Sequence, residues 1–468
     1  MGIFGIYSRD NTNVVSAAYY GLYALQHRGQ MSCGIAVNDD GVIRCVKNSG
    51  LVDEVITREA VEQLGEGQMA VAHVRYGRYV SDPDRNAEPL VINHIKGYMA
   101  LAHNGTLTNA RELREELELC GSIFQMTCDS EVISYIITRE RLNSRSIEEA
   151  VIRSMNTIKG AYSLVVMSPQ KLIAARDPHG FHPLCMGRIG DSVVFASETC
   201  ALDAVGAVFE RDIEPGEVVI VDKKGIRSDR THCGSCEKRT CVFEYIYFAR
   251  PDSVVDGSSV HDARMRAGIF LAQEAPADAD VVIGVPDSGL DAAMGFAQES
   301  GIPYGMGFIK NKYIGRTFIQ PTQSDRENQV RIKLNVVGDV VKGRRVVLVD
   351  DSIVRGTTSA RIVKMLRDAG AKEVHMRSSA PPFMFPCYYG TDIDSKDKLI
   401  ACKYPLDQVK DIIGVDSLGF LSVEAAKKIA RKSCGFCTAC FDGDYPLEPP
   451  KKTGKFFYEC RISEGKKL

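Results

Sequence analysis

Two units of different rhythm are predicted along the chain: a layered sandwich of sheets and helices over residues 1–230, then an α/β unit on a parallel sheet over residues 231–468. Three observations carry this. Short apolar runs broken by Gly, Asp and Asn fill the first half, with amphipathic helical windows among them. Residues 222–240 are polar and basic, with paired cysteines, as a connection would be. Beyond them, continuous apolar runs alternate with helical stretches, the pattern of strands buried on both faces.

In the first unit, residues 69–74, 98–102, 161–167 and 193–196 read as strands. Residues 109–119 read as a helix with Leu113, Leu117 and Leu119 at its apolar positions. A second helix is predicted over 130–139, with Asp129 as its N-cap. These windows weigh against an all-β sandwich. In the second unit, 281–285 is a buried strand, and residues 286–289 turn into a helix reaching Ser300 and Gly301. Residues 346–349 form the next strand, followed by a polar loop and a helix over 358–369 that Gly370 can terminate. Residues 374–377 return as a strand.

A length of 468 residues fits about three domains of ordinary size, or two large ones. Hydrophobic residues at 44% and charged residues at 25% place the chain among globular proteins and exclude a disordered or collagen-like one. The net charge of -2 gives no basic excess for nucleic acid. No apolar run approaches the roughly 20 residues of a membrane span, and the start lacks the pattern of a secretory signal. A soluble, cytoplasmic protein is expected.

The fifteen cysteines are informative by placement. Cys33, Cys45, Cys120, Cys128, Cys185 and Cys200 are scattered, and they read as buried small hydrophobes. Cys233, Cys236 and Cys241 crowd together, Cys387 follows, and Cys434, Cys437 and Cys440 repeat every third residue. That periodicity is a metal or iron-sulfur signal.

The most specific string begins with the apolar run 346–349 and continues Asp350, Asp351, Ser352, then Arg355, Gly356, Thr357, Thr358 and Ser359. A buried strand delivers two acids to the carboxyl edge of a parallel sheet, where ligands bind in such folds. Adjacent carboxylates can accept hydrogen bonds from vicinal ribose hydroxyls. Backbone N–H groups and three hydroxyls at a helix start can cradle a phosphate monoester. No Lys follows the glycine, so this is not a Walker loop. A plain strand-turn-helix with an Asp cap would need neither the second acid nor the hydroxyl triplet.

This string resembles the 5-phosphoribosyl-1-pyrophosphate (PRPP) signature of type I phosphoribosyltransferases. Residues 310–321, with Lys310, Lys312, Gly315 and Arg316, resemble the catalytic loop of the glutamine PRPP amidotransferase family, and 245–253 resemble another of its signatures. The resemblance runs from Gly2 to about Pro446. It implies an N-terminal α+β domain of the Ntn-hydrolase type, an αββα sandwich, before a type I phosphoribosyltransferase domain. Lys310, Lys312 and Arg316 would be catalytic, meeting charge that grows on pyrophosphate. Asp350, Asp351, Ser352, Arg355, Gly356, Thr357, Thr358 and Ser359 would bind PRPP. Ser288, Asp350 and Asp351 would hold Mg2+, an all-oxygen set suited to that ion.

In one branch of the family, cysteines matching Cys241, Cys387, Cys437 and Cys440 hold a 4Fe-4S cluster. A zinc site on Cys233, Cys236 and Cys241 is an alternative. No flavin or nicotinamide motif is present, so a structural cluster is implied.

His73 to Gly77, Leu101 to Gly105 and Cys128 to Glu131 resemble the glutamine site of N-terminal-nucleophile amidotransferases. By that match Arg75 would grip the substrate carboxylate and Asp129 its ammonium group, while Asn104 and Gly105 would form the oxyanion hole. Three departures stand out. The family has a nucleophilic cysteine before the glycine, where this sequence has Met1; a thioether cannot replace a thiolate, and Cys33 and Cys128 have no matching role. Arg78 stands where threonine is usual, and Glu88 where glutamine is common.

The resemblance further implies PRPP and glutamine or ammonia as substrates, purine nucleotides as inhibitors, and a homotetramer. A non-catalytic PRPP sensor is the competing reading; retention of Lys310, Lys312 and Arg316 argues for the enzyme. A cysteine inserted between Met1 and Gly2 is expected to restore glutamine use unless Arg78 obstructs the pocket. Failure of that variant to form a covalent adduct with a glutamine-like affinity label would show degeneracy beyond the nucleophile.

Overall fold

The computed structural model describes residues 1–10, 12–77, 84–311, 334–393, 395–431 and 435–450. Its first half is built on two antiparallel sheets. The seven-stranded sheet runs Val208–Asp212, Cys185–Ile189, Ser192–Ala196, Gly2–Tyr7, Met69–Arg75, Ser32–Asp39 and Val42–Ser49 from edge to edge. The six-stranded sheet runs Gly225–Asp229, Val218–Asp222, Leu172–Arg176, Gly160–Met167, Gly97–Leu107 and Leu90–His94.

Alternation along the strands builds four layers. Ile3, Val71, Ala100, Ala102, Val165 and Phe195 pack together between the sheets. The next residues along, such as Phe4 and Ile6, face outward and bury Val14 and Leu22 of helix Val14–Ala24. On the far side, Leu101 and Leu164 cover Leu113, Ile133 and Ile137 from helices Ala110–Leu119 and Asp129–Asn143. Because helices cover both outer faces, the central strands are apolar throughout and show little alternation of polarity. This is the αββα sandwich expected.

The second half carries a four-stranded parallel sheet in the order Val281–Gly284, Arg345–Asp350, Glu373–Ser378, Ser417–Phe420. Val282, Val347 and Val349 face helices Val260–Glu274 and Gly289–Ser300. Val281, Ile283, Val346 and Leu348 face the opposite way, toward Thr357–Asp368 and Leu406–Ile413. Helices on both faces of a parallel sheet give the predicted α/β architecture.

Three expectations need correction. Asp129 opens its helix and Cys128 occupies the cap position; the Asp129 carboxylate instead accepts the Leu107 N–H at 2.8 Å, a bond to a neighbouring strand that sequence does not reveal. The presumed connection 222–240 contains a strand, Gly225–Asp229, which pairs antiparallel with Val218–Asp222 and closes the sheet edge. Cys120 is exposed and Cys45 half-buried, so only Cys33, Cys128, Cys185 and Cys200 of that group behave as core residues.

The two helices on one face of the parallel sheet touch backbone to backbone. A Cβ at Gly268 would lie 1.9 Å from Ala292 O, and one at Gly295 would lie 2.0 Å from Met265 O. Replacing Gly295 by alanine is therefore expected to push the helices apart and destabilise the unit by about 1–3 kcal/mol. The check is a lower urea midpoint at unchanged m-value; an unaltered midpoint would contradict the close crossing.

Candidate functional site

Strand Arg345–Asp350 ends by presenting Asp350 and Asp351 at the carboxyl edge of the parallel sheet. Asp350 is buried, and its Oδ1 accepts the Asp351 N–H at 2.9 Å. Asp351 Oδ2 accepts the Ser288 hydroxyl at 2.5 Å, and its other oxygen accepts the Ser352 hydroxyl. Burial and the charge of Asp351 push Asp350 well above the usual carboxylate range. Burial also raises Asp351, against the pull of Ser288, Ser352 and Arg264. A buried and a half-buried carboxylate side by side, with a hydroxyl, form an oxygen-rich set that a hard divalent cation would stabilise. Ser288, Asp350 and Asp351 thus lie together and fit Mg2+.

The chain then passes Ser352 and Arg355 to Gly356, whose φ of +76° lets the backbone turn directly into helix Thr357–Asp368. Thr357 and Thr358 are exposed at that helix start, while Ser359 faces inward. The first N–H groups of such a helix have no intrahelical acceptor and favour a phosphate. On the facing side, Lys310 ends strand Phe308–Lys310 and forms an ion pair with Asp287, next to Ser288. Lys312, Gly315 and Arg316 lie outside the described residues.

Cys241, Cys387, Cys437 and Cys440 line one cavity, together with Phe181, His182, Tyr389 and Tyr445. Parallel pairing of Thr240–Cys241 with Phe436–Cys437 sets Cys241 beside Cys437, and helix Ala439–Asp442 supplies Cys440. The Cys387 sulfur accepts the Tyr389 N–H at 3.4 Å. Burial, then the neighbouring sulfurs, raise Cys241 and Cys440 well above a free thiol; burial pushes Cys437 up to about 12. Among the described residues no three His, Cys, Asp or Glu side chains gather tightly enough for a single metal ion. Four thiols around one cavity are the kind of donor set an iron-sulfur cluster takes. Cys233 and Cys236 do not line this cavity, and Cys434 lies outside the described residues.

In the sandwich, Arg75 ends one strand of the first sheet, while Asn104 and Gly105 lie on strand Gly97–Leu107 of the second. Asn104 Nδ2 is buried without a partner among the described residues, as an oxyanion donor awaiting a ligand would be. A Cβ on Gly105 would sit 2.1 Å from Ala161 O, so only glycine fits there. Burial raises Asp129 to about 6. Arg75 Nη1 donates to Glu88 Oε1 at 2.9 Å, a contact that sequence reading missed. The departure at Glu88 was visible in the sequence, but its partner was not. Burial pushes the Cys33 thiol up to about 12 and also raises Cys128. Arg78 lies outside the described residues.

A second unanticipated feature joins these regions. Arg28 Nε donates to Met1 O at 3.0 Å, and its guanidinium pairs with Glu198 at 2.5 Å and with Glu244 at 2.7 Å. Glu244 also meets His182 Nδ1 at 2.7 Å, and His182 Nε2 meets Tyr389 O at 2.8 Å on the wall of the cysteine cavity. Burial alone would raise Glu198 and Glu244, but Arg28 with His27 on one and His182 on the other outweighs it and holds both below the usual range.

Comparison with known proteins is consistent with this layout. A glutamine amidotransferase domain model matches residues 74–204, and a phosphoribosyl transferase domain model matches 256–380. The amidophosphoribosyltransferase of Methanocaldococcus jannaschii is 49% identical over 462 residues, covering 96% of this chain and 98% of that protein. The chain belongs to the amidophosphoribosyltransferase family. The Bacillus subtilis member is 47% identical over 453 residues, covering 96% of this chain and 94% of its own. A solved structure of glutamine PRPP amidotransferase from B. subtilis, complexed with ADP and GMP, superposes with a TM-score of 0.90 at 46% identity, covering 97% of this chain and 99% of that one. Amidophosphoribosyltransferases are phosphoribosyl-transferring enzymes of purine biosynthesis, and the order of domains here is theirs.

Removing Arg28 would strand two buried carboxylates. Arg28→Ala is expected to cost about 3–5 kcal/mol in chemical denaturation at neutral pH. Both glutamates titrate below their unfolded value of about 4.3, so the stability they confer is complete above that value and lost as pH falls through the lowered folded values. The gap between the variant and the unaltered chain should therefore narrow in acid; a gap independent of pH would contradict the pairing.

Proposed function

We propose that the chain makes 5-phosphoribosylamine from PRPP with ammonia as the nitrogen donor. The observation that carries this is the joint placement of Ser288, Asp350 and Asp351 at the mouth of a phosphate-binding helix start. In the bound state Asp350 and Asp351 would hold the ribose hydroxyls and the metal, and Ser352 and residues 355–359 the 5-phosphate. The ammonia lone pair attacks the anomeric carbon as the bond to pyrophosphate breaks; the leaving group keeps that electron pair, and nitrogen releases its proton to solvent. Lys310, Lys312 and Arg316 meet the charge that appears on pyrophosphate. Bound Mg2+ supplies further neutralisation of that charge.

The remaining assignments belong to the same reading. Residues 1–230 form the glutamine amidotransferase unit and 231–468 the phosphoribosyltransferase unit. Cys241, Cys387, Cys437 and Cys440 hold a structural 4Fe-4S cluster, supported by their shared cavity. Arg75, Asp129, Asn104 and Gly105 descend from a glutamine site. Purine nucleotides inhibit, in line with the ADP and GMP bound by the B. subtilis protein. The active form is a homotetramer in the cytoplasm; no helix among the described residues is long and apolar enough to cross a membrane.

The test is anaerobic pyrophosphate release from Mg-PRPP with ammonium. The unaltered chain should turn over, and Asp351→Asn should lower the rate on the order of a hundredfold or more. A cluster-loaded sample that binds PRPP without turnover would instead mark a sensor.

A further inference from the structure

We infer that Glu88 closes the carboxylate subsite of the former glutamine pocket by serving as a built-in counter-ion for Arg75. This rests on the reading of the first unit as a glutamine site, and it goes further, to substrate binding itself.

Glu88 is fully buried, and Arg75 nearly so, with 14% of its side chain exposed. The carboxylate is fixed from several sides. Oε1 accepts Arg75 Nη1 at 2.9 Å and the Ser130 hydroxyl at 2.7 Å, and Oε2 accepts the His103 N–H at 3.0 Å. His73 Nε2 stands 3.8 Å from Oε2, but it is turned to His103 O at 3.0 Å. Burial holds His73 and His103 well below their ordinary range, so both are neutral and neither balances the glutamate. Arg75 is therefore the charge partner of Glu88 within this cluster.

A glutamine molecule is a zwitterion and needs one cation for its carboxylate and one anion for its ammonium group. With glutamine at position 88, Arg75 and Asp129 would supply one of each. Glu88 adds a second anion beside Arg75, the cationic side chain that contacts it among the described residues. Arg75 Nε is still without a partner among the described residues, so donors remain; what the pair removes is net charge. An incoming carboxylate would sit against a fixed carboxylate, or displace it and leave a buried charge unpaired. Either route weakens glutamine on the order of a hundredfold or more. On this reading a cysteine placed before Gly2 would not by itself give glutamine use.

The experiment is calorimetric titration of glutamine into the full chain, which needs no nucleophile, for the unaltered protein, Glu88→Gln and Glu88→Ala. The unaltered chain should give no saturable binding at millimolar glutamine. Glu88→Gln should bind with an affinity improved about a hundredfold or more, and the gain should vanish in Glu88→Gln with Arg75→Ala. Glu88→Ala tests the same release with a different shape, and a cooperative thermal transition verifies folding of each. Saturable glutamine binding by the unaltered chain would overturn the inference, as would no gain in either folded position-88 variant. Ammonium-dependent turnover is scored separately: its absence speaks against the proposed function, whereas glutamine binding by the unaltered chain speaks against Glu88 as the block.

Discussion

The buried guanidinium of Arg28 is the interaction on which the arrangement of the two units depends. It carries its charge at the seam, with Glu198 from the sandwich on one side and Glu244 from the second half on the other. Neither carboxylate has access to water, so each needs that partner, and Arg28 satisfies both while also holding the Met1 carbonyl. Through Glu244 the same network orients His182, which reaches the wall of the cysteine cavity. One cation thus ties together the start of the central strand, the junction between units and the cluster site.

The two candidate sites use carboxylates in opposite ways. At the sheet edge, Asp350 and Asp351 adjoin each other, so burial and mutual repulsion leave the site short of positive charge. Such a site is completed by what it binds. In the sandwich, Glu88 meets Arg75 directly, and its remaining lone pairs are taken by Ser130 and His103. There Arg75 already has its carboxylate, although Asn104 keeps an unused donor. One half thus keeps two adjoining carboxylates side by side, while in the other the carboxylate is already paired with Arg75.

Much of the fold was legible because burial on both faces leaves a plain trace: the runs at 281–285 and 346–349 could hardly be anything but buried strands. Gly301, with φ +72°, ends its helix where the sequence places it. The phosphoribosyl elements were legible because Asp350 to Ser359 are contiguous. Contacts between distant residues left no such trace. Nothing at position 28 announces partners at 198 and 244, and nothing at 129 shows that its carboxylate turns to Leu107. Edge strand Gly225–Asp229 escaped notice because a polar edge looks like a loop when read alone. Glu88 was legible as a departure, yet its effect depends on Arg75 across a different strand end.

Division of labour between the halves is tested most directly by isotope competition in a single reaction. Anaerobic chain with Mg-PRPP, nitrogen-15 ammonium and excess unlabelled glutamine would be allowed to turn over, and the amine product trapped for mass spectrometry. Product carrying only the heavy isotope is predicted, because nitrogen can enter solely as ammonia. Substantial light nitrogen, in a sample free of contaminating glutaminase, would show that the sandwich still delivers glutamine nitrogen and would contradict the closure assigned to Glu88.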